Sequence, residues 1–268
     1  MWEELGLYLA FGSLAGVLSG LFGIGGGVVI VPFLVWFFSI RGFPPNSVMI
    51  MAVATSLATI VVTSVSAVYA HHRLGAVRWH TVFRLAPGVL IGSVIGSFIA
   101  DRLPAHWFKL IFALFLLYVA ARLLIDVKTQ SDQSRAPSGW LYSAAGLGIG
   151  AVSSILGIGG GTLSVPFLVR CHFPIRNAVA ISSACGFPIA VAGSLTYIAL
   201  GWEKPVLPAW SLGYVYLPAF AGIVATSILF APLGAELAHR LPTRKLRRMF
   251  AIVVLIVGVK LFWQAIQP

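Results

Sequence analysis

The pentapeptide GIGGG stands at Gly23–Gly27 and returns at Gly157–Gly161, each time inside a long apolar run without a charged neighbour. Glycine costs a helix about 1 kcal/mol per residue against alanine, so each block marks a break in a chain otherwise suited to helices. A helix restarting after such a break presents unpaired main-chain N–H groups and the positive end of its dipole. Those groups attract anions, and without a Cβ the main chain can be approached closely. Gly25, Gly26 and Gly27, with Gly159, Gly160 and Gly161, are therefore candidate anion-binding residues, one helix end from each block. Gly23 and Gly157 open the breaks. Pro32 and Pro166 suit the first turn of the helices that follow, and Ser164 is a candidate N-cap for the second.

Neutral hydroxyls are the second element. Thr55 and Ser56 lie in one apolar segment and Ser182 and Ser183 in its counterpart, with Ser56 and Ser182 at equivalent positions. They can donate hydrogen bonds to an oxyanion. The competing use is a bond to their own backbone or to a neighbouring helix, as close helix packing is the competing use of the glycines. Nucleotide-binding patterns fail. A P-loop needs a lysine after its last glycine, where Val28 and Thr162 stand, and GxGxxG needs glycine at those same two positions.

The elements that carry these residues are membrane spans. The 268 residues are 59% hydrophobic and 9% charged, against about 25% charged in a soluble domain. No Asp, Glu, Lys or Arg occurs in Leu5–Ile40, Gly42–Ala70, Leu85–Ala100, Ala136–Val169, Asn177–Trp202 or Pro205–Ala235. A spanning helix needs about 20 apolar residues, which most of these stretches supply. The net charge of +11 comes from clusters between them, such as Arg73 and Arg78 or Arg240, Arg244, Lys245, Arg247 and Arg248. Such loops suit anionic headgroups, and no basic stripe is interleaved with aromatics, so nucleic acid is not an expected partner. The acidic start MWEELG lacks the positive region of a secretory signal, so the first apolar segment is expected to be retained.

Cys171 and Cys185 form no CxxC pair and no Cys/His cluster exists, so no metal or cofactor is expected. No span carries a nucleophile–base pair, which argues against an enzyme. Asp101 and Glu236 fall near span ends, so an embedded carboxylate relay is absent, and any coupled proton would travel on the substrate anion.

Eight spans are expected, near 5–37, 48–70, 82–100, 105–125, 139–169, 177–200, 209–235 and 246–265. The fold class is an all-α polytopic membrane protein of about eight transmembrane helices. They form two homologous four-helix repeats, each with a glycine-broken first helix. The repeats are 1–125 and 139–268, joined by a polar linker at 126–138. Gly16–Val35 matches Gly150–Val169 at an offset of 134, with twelve of twenty positions identical. Ala52–Ala58 matches Ala178–Ala184 at 126, and Arg102–Pro104 recurs at Arg240–Pro242. The eight-residue change of offset is placed in the loop around Arg41, where insertions are tolerated. Four crossings per repeat would make the repeats parallel, whereas a broken segment that turns back would make them inverted. With eight crossings, ten Lys/Arg fall on the side of Arg41 and Arg102 and eight on the other, which places both termini outside.

The duplicated GxGGGxxxVPFLV, the AVATSL span and the loop His71–Trp79 (HHRLGAVRW) resemble the TauE/SafE sulfite exporter family over nearly the whole chain. The resemblance implies two four-helix repeats in the cytoplasmic membrane of a prokaryote and transport of sulfite or related organic anions. It points to Gly23, Gly25–Gly27, Pro32, Gly157, Gly159–Gly161, Pro166, Thr55 and Ser56. Ile181 replaces the threonine opposite Thr55, so a symmetric cage is not expected. The expected function is a secondary transporter, an exporter by the resemblance, for sulfite or a small organosulfonate. The alternatives are an anion channel, a permease for sulfoacetate or a carboxylate, and a non-transport assembly protein. Its partners are then the anion and the lipid bilayer.

Overall fold

Each glycine block separates two helices and reverses the chain between them. In the computed structural model, which describes residues 2–22, 26–124, 139–204, 206–240 and 243–266, the first expected span is a pair. Helix α1 (Trp2–Phe22) precedes the block and α2 (Gly27–Ile40) follows it. The Tyr8 ring meets the Phe37 ring at a centroid distance of 4.9 Å, and Phe11 stacks on Phe33 at 3.4 Å. Earlier residues of α1 meet later residues of α2, so the helices run antiparallel. In the second half α6 (Gly139–Leu156) and α7 (Gly161–Arg170) repeat the arrangement, with Tyr142 against Phe167 at 6.0 Å. The expected single spans 5–37 and 139–169 are thus corrected to helical hairpins. Gly23, Gly25 and the linker 126–138 lie outside the described residues.

Three long helices follow each hairpin: α3 (Pro45–Arg73), α4 (Trp79–Arg102) and α5 (Ala105–Leu124), then α8 (Ile175–Gly201), α9 (Leu217–Arg240) and α10 (Thr243–Ile266). Among the described residues, five helices (α3, α4, α5, α6 and α8) are long and apolar enough to cross a membrane. A two-residue ribbon, β1 (Ser211–Leu212) with β2 (Val215–Tyr216), links α8 to α9.

The direction of α3 against α8 is fixed by three contacts. Leu57 packs on Gly193, Arg176 donates to the Leu74 carbonyl at 3.3 Å, and Asn177 donates to the Ala76 carbonyl at 2.8 Å. Residue numbers fall along one helix as they rise along the other. These two helices carry matching sequences and run in opposite directions.

Exchange of packing partners follows the same correspondence. Gly12 and Gly16 of α1 face the backbone at Ile223 and Ser227 of α9, while Gly146 and Gly150 of α6 face Leu85 and Val89 of α4. A side chain at these glycines would overlap the facing backbone, so their lack of one sets the helix spacing.

The change of sequence offset is not in the loop around Arg41. Loops 41–44 and 171–174 have equal length and the same bonds, Phe43 N–H to the Phe38 carbonyl and Phe173 N–H to the Leu168 carbonyl, each 3.1 Å. Helix α2 has 14 residues and α7 has 10. The other four extra residues fall at the start of α3. Four residues are close to the 3.6 of one turn, so both insertions nearly preserve the facing of the helix.

Candidate anion site

The end of α6 shows how the glycines divide their work. Gly157 has φ +67, its N–H reaches the Ser154 carbonyl at 3.3 Å, and Ile158 N–H reaches the Ser153 carbonyl at 3.0 Å. This is a Schellman stop, in which a left-handed residue lets two late carbonyls be satisfied. Gly160 is left-handed again at φ +77, and its carbonyl accepts from Leu163 (3.0 Å) and Ser164 (2.8 Å) to start α7. In the first half Gly26, at φ +70, accepts from Val29 (2.9 Å) and Ile30 (3.0 Å) to start α2.

Two expectations about these starts are corrected. Pro32 and Pro166 each occupy the sixth residue of their helix, beyond its first turn. Ser164 is already inside α7, and the capping position belongs to Gly160, which offers no side chain. The reason is the pair of left-handed glycines, which let the helix begin earlier than a serine cap would.

The structure brings the two blocks together. A Cβ on Gly27 would overlap the Gly157 carbonyl oxygen, so the first turn of α2 lies directly on the tip of the α6–α7 hairpin. Gly159 packs its carbonyl on Gly186 of α8, where a Cβ would stand at 2.7 Å.

The hydroxyls separate into different roles. Ser56 donates to the Gly157 carbonyl at 2.8 Å, so its proton already has an acceptor. Thr55 accepts the Tyr216 N–H at 3.0 Å, on the side of α3 that meets β2. Ser183 bonds back to the Val179 carbonyl of its own helix at 3.0 Å. Ser182, fully buried, has no hydrogen-bond partner among the described residues. The same holds for the buried hydroxyl oxygens of Ser153 and Thr162, two residues the sequence reading passed over. Ser153 and Ser19 are identical at the same place in the repeat, and that identity was the available signal.

Every buried polar side chain among the described residues, tyrosines aside, is a serine or threonine. The hydrogen-bond donors that this interior offers are therefore neutral hydroxyls and main-chain N–H groups. No group of three or more His, Cys, Asp or Glu that could hold a metal occurs among the described residues. A cavity of about 1010 Å³ lies elsewhere, between α1, α2, α5 and α10, walled by residues such as Phe11, Val29, Phe33 and Leu116 with Lys260 at its rim. Its almost wholly apolar wall is no site for a small oxyanion.

At one end of the bundle Asp101 closes α4. It accepts a 2.6 Å hydrogen bond from the Tyr214 hydroxyl and lies 3.9 Å from the Lys204 ammonium. Burial, reinforced by the Asp101 carboxylate, pushes the Tyr214 phenol well above its ordinary range.

Known proteins resemble the chain over nearly its whole length. A family profile described as "Sulfite exporter TauE/SafE" matches residues 8–261. A "Probable membrane transporter protein" of Haemophilus influenzae is 38% identical over 262 residues, covering 98% of this chain and 99% of that one. A probable membrane transporter protein of Methanocaldococcus jannaschii is 27% identical, covering 95% of this chain and 94% of that one. One of Bacillus subtilis is 25% identical, covering 97% and 98%. No solved structure matches the chain.

Proposed function

The chain belongs to the sulfite exporter TauE/SafE family, and we propose that this membrane transporter moves a small oxyanion, sulfite or a small organosulfonate, out across the cytoplasmic membrane. The observation that carries the proposal is the meeting of two re-entrant glycine turns, Gly27 against Gly157. Irregular backbone at membrane depth persists only where protein buries it or an aqueous cavity borders it. Two helix starts, Gly26–Gly27 and Gly160–Gly161, adjoin the contact of Gly27 with Gly157, with the buried hydroxyls of Ser56 and Ser153 near it. Such starts are suited to a small anion.

Transport follows from inversion of the halves. Helices α3 and α8 run antiparallel, and a hairpin plus three crossings gives each half an odd parity. Two inverted repeats related by an axis in the membrane plane can exchange conformations, which opens the shared site to one face and then the other. The anion crosses chemically unchanged.

Orientation follows from the same parity. With both hairpins turning back, thirteen of the eighteen Lys and Arg residues fall on the side of Arg73, Arg78, Arg170, Arg176 and the Arg240–Arg248 cluster. That side is cytoplasmic by the positive-inside rule, and both termini are outside. With each hairpin taken as a single crossing, the same residues divide only ten to eight.

The test is uptake of labelled sulfite by purified protein in liposomes, with sulfate, sulfoacetate and acetate as competitors and a folded Gly160→Ala variant alongside. Saturable uptake with counterflow, reduced in the variant, supports the reading. Flux without counterflow points to a channel, and no uptake of any of these anions removes the proposal.

A further inference from the structure

The two glycine blocks are nearly identical in sequence but not in the chemistry around them. Thr162 and Ser164 stand in the first turn and a half of α7 where Val28 and Ile30 stand in α2. A Cβ on Gly160 would lie 3.4 Å from Ser164 Oγ and 3.6 Å from Ser153 Oγ. Two hydroxyl-bearing residues thus stand in the start of α7, with Ser153 of α6 beside its cap, whereas the start of α2 carries two aliphatic side chains and only the counterpart of Ser153, Ser19, is kept in the sequence.

Two of those hydroxyls have no hydrogen-bond partner among the described residues: Ser153, which is fully buried, and the buried Oγ1 of Thr162. An unpaired buried hydroxyl is a standing cost, because desolvation is not offset by a bond. The main-chain N–H groups of Gly161 and Thr162 also lack a backbone partner among the described residues, as the first positions of a helix do. Hydroxyl and amide donors with no acceptor therefore belong to the first two residues of α7 and to Ser153 beside its cap at Gly160, and no buried side chain among the described residues is charged.

We propose that the anion is bound asymmetrically, at the start of α7, by Ser153 Oγ, Thr162 Oγ1 and the N–H groups of Gly161 and Thr162, with Ser164 at the margin. This rests on the anion-transport reading and assigns the ligand to one repeat. The first repeat plays the bracing part: Ser56 of α3 holds the Gly157 carbonyl, and Gly27 packs against it. A ligand with several acceptor oxygens and no donors fits this set, which describes sulfite and sulfonate headgroups. The Ser153 and Thr162 hydroxyls are buried in this conformation, so entry of an anion requires the helices around them to move.

The experiment measures equilibrium binding of sulfite to detergent-solubilised protein by intrinsic tryptophan fluorescence, and records the thermal midpoint without ligand. The variants are Ser153→Ala, Thr162→Val (the first repeat's own residue) and Ser56→Ala. An unpaired hydroxyl removed from the core leaves the ligand-free midpoint unchanged or higher. Ser153→Ala and Thr162→Val are expected to weaken sulfite binding about tenfold each, one charge-assisted bond apiece, without lowering that midpoint. Ser56→Ala is expected to lower the midpoint. Wild-type binding with unchanged affinity in Ser153→Ala and Thr162→Val overturns the asymmetric site and leaves the transport reading standing. Absence of wild-type binding to sulfite, thiosulfate and sulfoacetate overturns both.

Discussion

Ser56 donates its hydroxyl to the carbonyl of Gly157, 101 residues away in sequence, at 2.8 Å. The bond joins the longest helix of the first half to the hairpin tip of the second. Both partners are in the interior, where an unpaired carbonyl costs about 1–3 kcal/mol. Ser56→Ala is expected to lower stability by about that amount, and Ser56→Thr, which keeps the hydroxyl, to lose less. Thermal unfolding of purified protein in detergent checks this. An unchanged midpoint in the alanine variant would show that the bond is not made in the membrane protein.

Gly27 makes the complementary contact, backbone against backbone. A methyl group there would strike the Gly157 carbonyl, which is not the flexible end of a side chain and cannot rotate away. Gly27→Ala is expected to destabilise by about 1–3 kcal/mol, the usual cost of forcing extra volume into a packed core. Gly148→Ala is the control, since its Cβ would meet nothing within 4 Å. That change is expected to be neutral or to stabilise α6 by up to about 1 kcal/mol through helix propensity. The yield of monodisperse protein and its midpoint distinguish the two. Equal behaviour would contradict the tip contact.

The Tyr214–Asp101 pair predicts a pH dependence. Burial first, and the carboxylate second, raise the Tyr214 phenol above its unfolded value of about 10. A group raised in the folded state contributes stability that is complete below the unfolded value and is lost as pH rises through the folded one. Wild-type stability should therefore fall on alkaline titration above about pH 10. Tyr214→Phe should reduce that loss, at a cost near neutrality of about 1.5–3 kcal/mol for a hydrogen bond to a charged group. Unfolding midpoints measured from pH 8 to pH 11 test both parts.

Much of this molecule is legible in its sequence because a duplication writes each feature twice. The glycine breaks, the membrane spans and the relation of Ser56 to Ser182 all follow from repeats and charge-free runs. The reversal between α1 and α2 is not legible, since a long apolar run with a break fits a bent crossing as well as a hairpin. What decides it is side-chain contact, Tyr8 on Phe37 and Tyr142 on Phe167. Helix starts were misplaced for a local reason. Left-handed glycine at positions 26 and 160 opens a helix without a side-chain cap, and sequence rules look to serine and proline. The hydroxyls at positions 56, 182 and 183 read alike in the chain. Only their partners separate a bond across the fold, an unpaired group and a bond back to the same helix.

The hairpins make a prediction about sidedness that a single crossing would reverse. Ile40, Leu74, Ile175 and Trp202 flank the ends of α2, α3 and α8 and are all exposed. If each glycine block turns the chain back, Ile40 and Trp202 share the outer face while Leu74 and Ile175 share the cytoplasmic one. If each block only bends a crossing, Ile40 groups with Ile175 and Leu74 with Trp202. Single cysteines at the four positions, in a background with Cys171 and Cys185 replaced by alanine, can be probed in intact cells with a membrane-impermeant maleimide. Labelling of Ile40→Cys and Trp202→Cys before lysis, and of Leu74→Cys and Ile175→Cys only after it, is the expected pattern. Labelling of Leu74→Cys together with Trp202→Cys would make the repeats parallel and remove the exchange of inverted halves on which alternating access depends.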